Sequence, residues 1–216
     1  MIRTVCLAAA LSTYGVVAAA DQFYVAARAG YQQTSETDFS VLGLGVENEY
    51  EGGYALAGAA GYEFTKIAPG IDLRTELEIG YTRSNIDAHT ITGLGTFSGA
   101  SAFGRTETVT GTVNLFGDYA VTDALEVFLG GGVGIASTSF DDHGVAGVGV
   151  VMNDDTIGFA YHIGAGIAYD FPGPLTAELS YRFAGTTGGE ITAIDGSSSD
   201  LDTTAHMVLA GVRIGF

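Results

Sequence analysis

The stretch IDLRTELEIGY, Ile71 to Tyr81, alternates apolar and charged residues. Successive side chains of a strand point to opposite faces. Ile71, Leu73, Leu77 and Ile79 therefore share one face, and Asp72, Arg74, Glu76 and Glu78 share the other. A helix would scatter both sets around its axis. The segment is expected to be a strand, and the two faces need different surroundings. In a water-soluble protein the oily face goes in; the rest of the chain argues that here the charged face does.

The period of two returns in seven more segments, roughly 23–32, 53–64, 106–119, 125–136, 157–171, 175–183 and 204–216. One face of each, counted from Val109 in the segment 106–119, is free of formal charge and rich in Val, Leu, Ile, Phe and Tyr. The opposite faces carry Arg28, Glu63, Asp118, Glu126, Asp170, Glu178, Arg182 and Arg213, with small residues such as Gly130, Gly132, Gly134, Gly164 and Gly166. The chain is acidic, with a formal net charge of −17. Its mean hydropathy is nevertheless +0.29. After residue 20 no apolar run is long enough for a membrane helix.

Two further patterns favour lipid around the oily face. Aromatic residues gather near strand ends, as with Tyr62 and Phe64, Tyr169 and Phe171, or Tyr181 and Phe183. That is where rings meet a membrane–water interface. The links also alternate in length. Residues 33–52, 84–105, 137–156 and 184–203 form long links; Thr65–Gly70, Ala120–Ala124 and Pro172–Pro174 form short ones. Small residues on the charged face suit a narrow lumen. The expected fold is all-β: an eight-stranded antiparallel up-and-down transmembrane β-barrel with four long outer loops. Arg28, Arg74, Glu76, Glu78, Glu178, Arg182 and Arg213 are expected to form its lumen charge network. A ten-stranded variant stays open, because FSVLGLGV and GVAGVGVVM read as strands within loops or as extensions above the membrane.

The first 20 residues differ from the rest. Arg3 precedes the mostly apolar VCLAAALSTYGVVAAA, which ends in Ala18-Ala19-Ala20. This reads as a signal peptide, residues 1–20, leaving 21–216 as the barrel domain. The single cysteine, Cys6, falls inside the signal peptide.

The last strand, HMVLAGVRIGF, places Ala210, Val212 and Ile214 at two-residue steps before Phe216. Here the chain resembles the small outer-membrane β-barrels of the OmpA transmembrane-domain, OmpX and opacity-protein superfamily. FAYHIGAGIAYDF, a Pro-Gly turn and LTAELSYRFAG resemble the sixth and seventh strands of such barrels, and the likeness runs from about Phe23 to Phe216. It implies that Ala210, Val212, Ile214 and Phe216 act as the C-terminal signal read by the outer-membrane insertion machinery. It also implies a place in the bacterial outer membrane, among lipid and lipopolysaccharide. No counterpart of OmpA's peptidoglycan-binding domain is expected.

Chemistry is sparsely signalled. GLGVEN, GLGTFS and GGGVGIAS lack nucleotide-binding spacing. His89 and His143 fall in expected long loops, His162 faces the lumen, and His206 faces outward. Lipid A deacylases carry a lipid-facing His and Ser; the residue two after His206 is Val208. The palmitoyltransferase pattern of His, Asp and Ser is matched only loosely by His89 or His143 with loop serines. No catalytic residue, metal ligand or cofactor is therefore assigned. Glu36, Asp38, Glu47, Glu49, Glu51, Asp141, Asp142, Asp154, Asp155, Glu190, Asp195, Asp200 and Asp202 make the loops acidic. They read as solvated charge, with divalent-cation binding as the sharper alternative. Only 8 basic residues against 25 acidic ones exclude nucleic acid as a partner. The expected role is structural or at the surface, in envelope integrity or adhesion, with an extracellular partner held through the loops. The alternatives are a narrow pore for ions or small solutes, a lipid A-modifying enzyme and a soluble ligand-binding barrel.

Overall fold

The computed structural model describes residues 22–41, 44–147, 149–192 and 198–216. The expected signal peptide and Asp195 lie outside these residues. Among the described residues eleven strands form in chain order: β1 (Gln22–Thr34), β2 (Thr37–Val41), β3 (Leu44–Tyr50), β4 (Gly53–Ala68), β5 (Ile71–Ile91), β6 (Gly95–Ser98), β7 (Ala102–Ala120), β8 (Leu125–Val145), β9 (Gly149–Asp170), β10 (Leu175–Thr192) and β11 (Ser198–Gly215). No described helix is long and apolar enough to cross a membrane.

Eight strands close a ring of antiparallel neighbours, β1-β4-β5-β7-β8-β9-β10-β11 and back to β1. Closure pairs Val25 with Ile214 and Ala27 with Val212. The Phe216 amide donates to the Phe23 carbonyl at 2.9 Å. A closed ring satisfies the strand hydrogen bonds internally, which lipid requires. The short turns at Pro69-Gly70, Val121–Ala124 and Phe171–Pro174 lie at the same end as both ends of the ring sheet.

The other end is built differently from expectation. The long links are largely strand. β5 runs past its ladder with β7 to pair with β3 and β6. The β8–β9 ladder continues to Val145 and Gly149. FSVLGLGV falls on the β2–β3 hairpin and GVAGVGVVM on the tip of β8 and β9, with residues 42, 43 and 148 outside the described set. Both extend the barrel and neither adds a strand to the ring.

Exposure separates the two faces. Leu77, Ile79, Leu129, Ile135, Ile157 and Ile163 are each more than half exposed, although they are among the most apolar residues in the chain. Arg74 and Glu76 are buried at 1% and 2%. Aromatic contacts ring the barrel near both rims: Phe23–Tyr62, Tyr62–Phe64 and Tyr169–Phe171 at one, Tyr54–Tyr81 at the other. Water is a poor solvent for such a belt, and hydrocarbon is a good one.

Candidate functional site

The lumen contains three layers. The lowest is ionic. Arg28 of β1 donates from Nε to Glu178 at 3.0 Å, from Nη1 to Glu78 at 2.8 Å and from Nη2 to Glu76 at 2.7 Å. β1 is adjacent to neither β5 nor β10 in the ring, so these bonds cross the lumen. Arg74 donates to Asp118 at 2.7 Å and reaches Glu76 and Glu178 at 3.4 and 3.3 Å. Arg182 closes a bidentate pair on Glu78 at 2.7 and 3.1 Å. Arg213 lies 3.4 Å from Glu178, 3.5 Å from Glu126 and 3.7 Å from Glu63. Glu178 thus joins three arginines, and the seven charged residues named from the sequence lie in one connected network.

Buried charge is costly unless its hydrogen-bonding groups are satisfied, and here most are. Sequence reasoning missed several members of this layer. Asp118, Glu63 and Glu126 were read on the inner face without partners. Tyr24 donates to Glu76 at 2.8 Å. Phe116 and Phe128 each hold a ring 5.1 Å from the Arg74 guanidinium carbon. The signal was present: these three aromatics sit out of phase with the oily face of their strands. The inner-face glycines make room for them. A Cβ at Gly130 would stand 2.4 Å from the Phe116 ring, one at Gly166 2.5 Å from Phe128, and one at Gly61 2.4 Å from Tyr24.

Above the ions lies a chamber of about 110 Å³ in whose lining threonine is the commonest residue. At its floor the His162 ring stands 3.0 Å from Asn114 Oδ1.

The third layer corrects the placement of His89 and His143 in loops. They belong to the outer parts of β5 and β8, are 1% and 0% exposed, and hold their rings 6.1 Å apart. Val46, Tyr50, Ile86, Ala88, Phe140 and Val145 are buried on the same inward side. His89 donates from Nδ1 to Asn48 Oδ1 at 2.6 Å. His143 Nε2 meets the Arg105 carbonyl at 3.1 Å and Thr106 Oγ1 at 3.2 Å. Burial pushes the His143 imidazole down to about 4 and lowers His89 as well. Together these residues cap the outer end of the lumen.

His206 lies outside, donating or accepting at 2.6 Å with the Tyr181 hydroxyl and facing the Phe183 ring at 5.3 Å. Ala210, Val212 and Ile214 line the outer face of β11 and Phe216 follows its end, all exposed and remote from the lumen. Outside the barrel, Arg105 pairs with Asp141 at 2.7 Å and Glu107 at 3.1 Å. Among the described residues no three His, Cys, Asp or Glu side chains converge as metal ligands.

A search of curated proteins returned no match. Among solved structures, Neisserial surface protein A (NspA) aligns over 92% of this chain and 100% of its own, with 16% identity and a TM-score of 0.57. The outer membrane protease OmpT from Escherichia coli aligns over 90% and 97%, with 9% identity and a TM-score of 0.51. At such identities the likeness is one of fold. The family model for the outer membrane protein beta-barrel domain matches residues 4–216. With a closed eight-stranded ring, an oily outer belt and a match over nearly its whole length, the chain belongs to the outer membrane β-barrel family and resides in the outer membrane.

Proposed function

We propose that this protein is a non-enzymatic barrel with a shut lumen, acting in envelope integrity or adhesion through its outer strands and loops. One observation carries the reading: the ion layer is braced from wall to wall, with Glu178 tied to β1, β5 and β11 at once. An eight-stranded barrel is just wide enough for side chains to fill. The outer surface, with Asp87, Asp142, Asp155 and Asp202 exposed, is then the part available to partners. OmpT is a protease by name, and its likeness to this chain is in fold. The lumen carboxylates here are taken up by arginines, which leaves them poorly placed as bases.

In this reading residues 1–20 direct export and are removed, leaving 21–216. Ala210, Val212, Ile214 and Phe216 present the insertion signal, and the girdle contacts lipid and lipopolysaccharide. The rival is a narrow pore, favoured by the open chamber above the ions. Planar-bilayer recording separates the two. The closed barrel predicts no steady conductance, with the phenotype of a deletion strain rescued by the protein and lost when the outer loops are shortened. Steady conductance that changes in Glu76→Gln would establish the pore instead.

A further inference from the structure

The cap at the outer end is built from bent strand tips. The β7–β8 ladder shifts register between Phe103 and Arg105, and the β8–β9 ladder shifts at Phe140, His143 and Gly144. Gly104 and Asp142 take positive φ, 148° and 50°, beside these bulges. Bulges bend a strand and re-aim its side chains. Here they turn His143 inward, where a Cβ on Gly104 would lie 2.7 Å from its ring. Opposite, β5 supplies His89, and β3 supplies Val46, Asn48 and Tyr50, all buried.

The two imidazoles differ in what they touch. The Arg105 carbonyl, 3.1 Å from His143 Nε2, can only accept, so Nε2 carries the ring proton. His143 Nδ1 is buried with no partner among the described residues. A second proton on this ring would create an N–H that neither an acceptor nor water reaches, a costly state. His89 is better placed, with Asn48 Oδ1 2.6 Å from Nδ1 and the Phe103 carbonyl 3.4 Å from Nε2. Yet the rings are 6.1 Å apart, so two imidazoliums would repel each other in a site shut off from water.

Among the described residues the surrounding carboxylates are engaged or turned outward. Asp141 of β8 is 41% exposed and tied to Arg105 at 2.7 Å, and Glu107 of β7 holds Arg105 at 3.1 Å. Asp87 of β5 and Asp142 of β8 are exposed. Glu47 and Glu49 alternate with the buried residues of β3 and so lie on its other face. On β9 the Asp154 carboxylate accepts the Asp155 amide at 2.9 Å. β6 carries no charge. Tyr50, the other titratable group on the inner side, has its hydroxyl 2.7 Å from Thr37 Oγ1. Burial accordingly holds both imidazoles below their ordinary range, His143 at about 4.

We infer that the cap is an acid-released lid: when His143 and His89 take up protons, the tips of β5 and β8 part, water reaches the rings, and the buried Val46, Ile86 and Val145 are presented to the outside. This rests on the reading of the outer end as the partner surface and adds its regulation, an apolar contact face hidden at neutral pH and shown in acid. A freed imidazole regains its ordinary value of about 6.5. The lid therefore stays shut above that pH and opens progressively as the pH falls towards 4.

Cys6 is the only cysteine in the chain, so a Cys6→Ser background lets one thiol report. Ala88→Cys places it in the cap, where Ala88 is 3% exposed. Asp87→Cys, on the exposed face, corrects for the thiol's own titration. Both react with a neutral methanethiosulfonate on the barrel in lipid nanodiscs. From pH 7 to pH 5 the ratio of rates, position 88 over position 87, should rise about twentyfold for His143 alone. His143→Phe should remove most of that rise, and His143→Gln replaces it if heat-modifiable gel mobility shows that the first variant does not fold. A flat ratio, equal rates at both positions at pH 7, or a rise that persists in the folded His143 variants overturns the lid. Rescue of a deletion strain by loop-shortened protein would remove the partner surface but leave the ratio as it is, so the two readings fail separately.

Discussion

Along β5 the two faces exchange character at one level of the barrel. Below it the inner face reads Arg74, Glu76, Glu78 and the outer face Leu77 and Ile79. Above it the inner face reads Ile86 and Ala88, both buried, and the outer face Asn85 and Asp87, both exposed. The alternation holds phase from Arg74 to Ala88 and slips only at the outer tip, where Ala88 and His89 are both buried and the ladder with β3 is bulged. β8 does the same: Leu129, Val133 and Ile135 face out below, Ser137, Ser139 and Asp141 follow on that face, and Phe140 turns inward. The change comes just beyond Tyr81, where the Tyr54–Tyr81 contact belongs to the outer girdle. One strand thus obeys two solvents. Where lipid surrounds it the charges are enclosed; where water does, a small apolar core forms, as in a soluble protein.

The comparison is broken most severely at the ion layer. Arg74→Met leaves Asp118 without its arginine and weakens the hold on Glu76 and Glu178. Removing one partner of a buried pair costs about 3–5 kcal/mol. Urea titration of the barrel refolded into vesicles should show a loss of that size. A null result would mean a wet lumen and would favour the pore.

The oily belt comes next. Leu77→Arg, in the middle of the belt on β5, should cost about 2–4 kcal/mol in the same titration. Asp87→Arg, ten residues further along the same outer face, should cost little. Equal costs would erase the boundary placed beyond Tyr81.

The upper half should respond to acid in a way the lower half does not. His143 has a folded pKa of about 4 against about 6.5 when unfolded. Its neutral form is the one the cap holds, with the nearby Asp141 carboxylate favouring the imidazolium and His89 opposing it. Stability from this group is full above pH 6.5. It falls as the pH drops through 6.5 towards 4 and then levels off, a loss of about 3 kcal/mol. The lowered His89 adds a loss of the same sign. Hydrogen exchange should show the amides around Phe140, His143 and Val145 opening at pH 5 while those around Leu129 stay protected. His143→Phe should flatten the dependence.

The sequence made the lower half legible because lipid enforces a strict rule. Arg74, Glu76 and Glu78 had to share a face, and that face could not meet hydrocarbon. The cross-lumen partners were not legible. Nothing in spacing tells that Glu178 meets Arg28 rather than a neighbour on β9, since that depends on ring order and side-chain reach. The upper half was misread for a related reason. Its strands carry short, mixed segments such as IDAHTI and FDDHGV, in which the buried Ile86, Ala88, His89, Phe140, His143 and Val145 are interleaved with Asp and Thr. A polarity-based reading takes them for loop; the pairing of β5 with β3 and β6, and of β8 with β7 and β9, makes them sheet.

The smallest effect tests whether solvent or bond length governs. Arg105 pairs with Asp141 at 2.7 Å, and Arg74 with Asp118 at 2.7 Å. The first pair is 39% and 41% exposed, the second 1% and 2%. Water screens the outer pair, and each partner remains hydrated when the other is removed. Arg105→Met should therefore cost little, and added salt should shrink the difference further. The same substitution at Arg74 should be several-fold worse and nearly insensitive to salt, because its partners cannot reach water. If Arg105→Met approached Arg74→Met in cost, the outer surface would be as dry as the lumen, and the belt would have to extend above Tyr81.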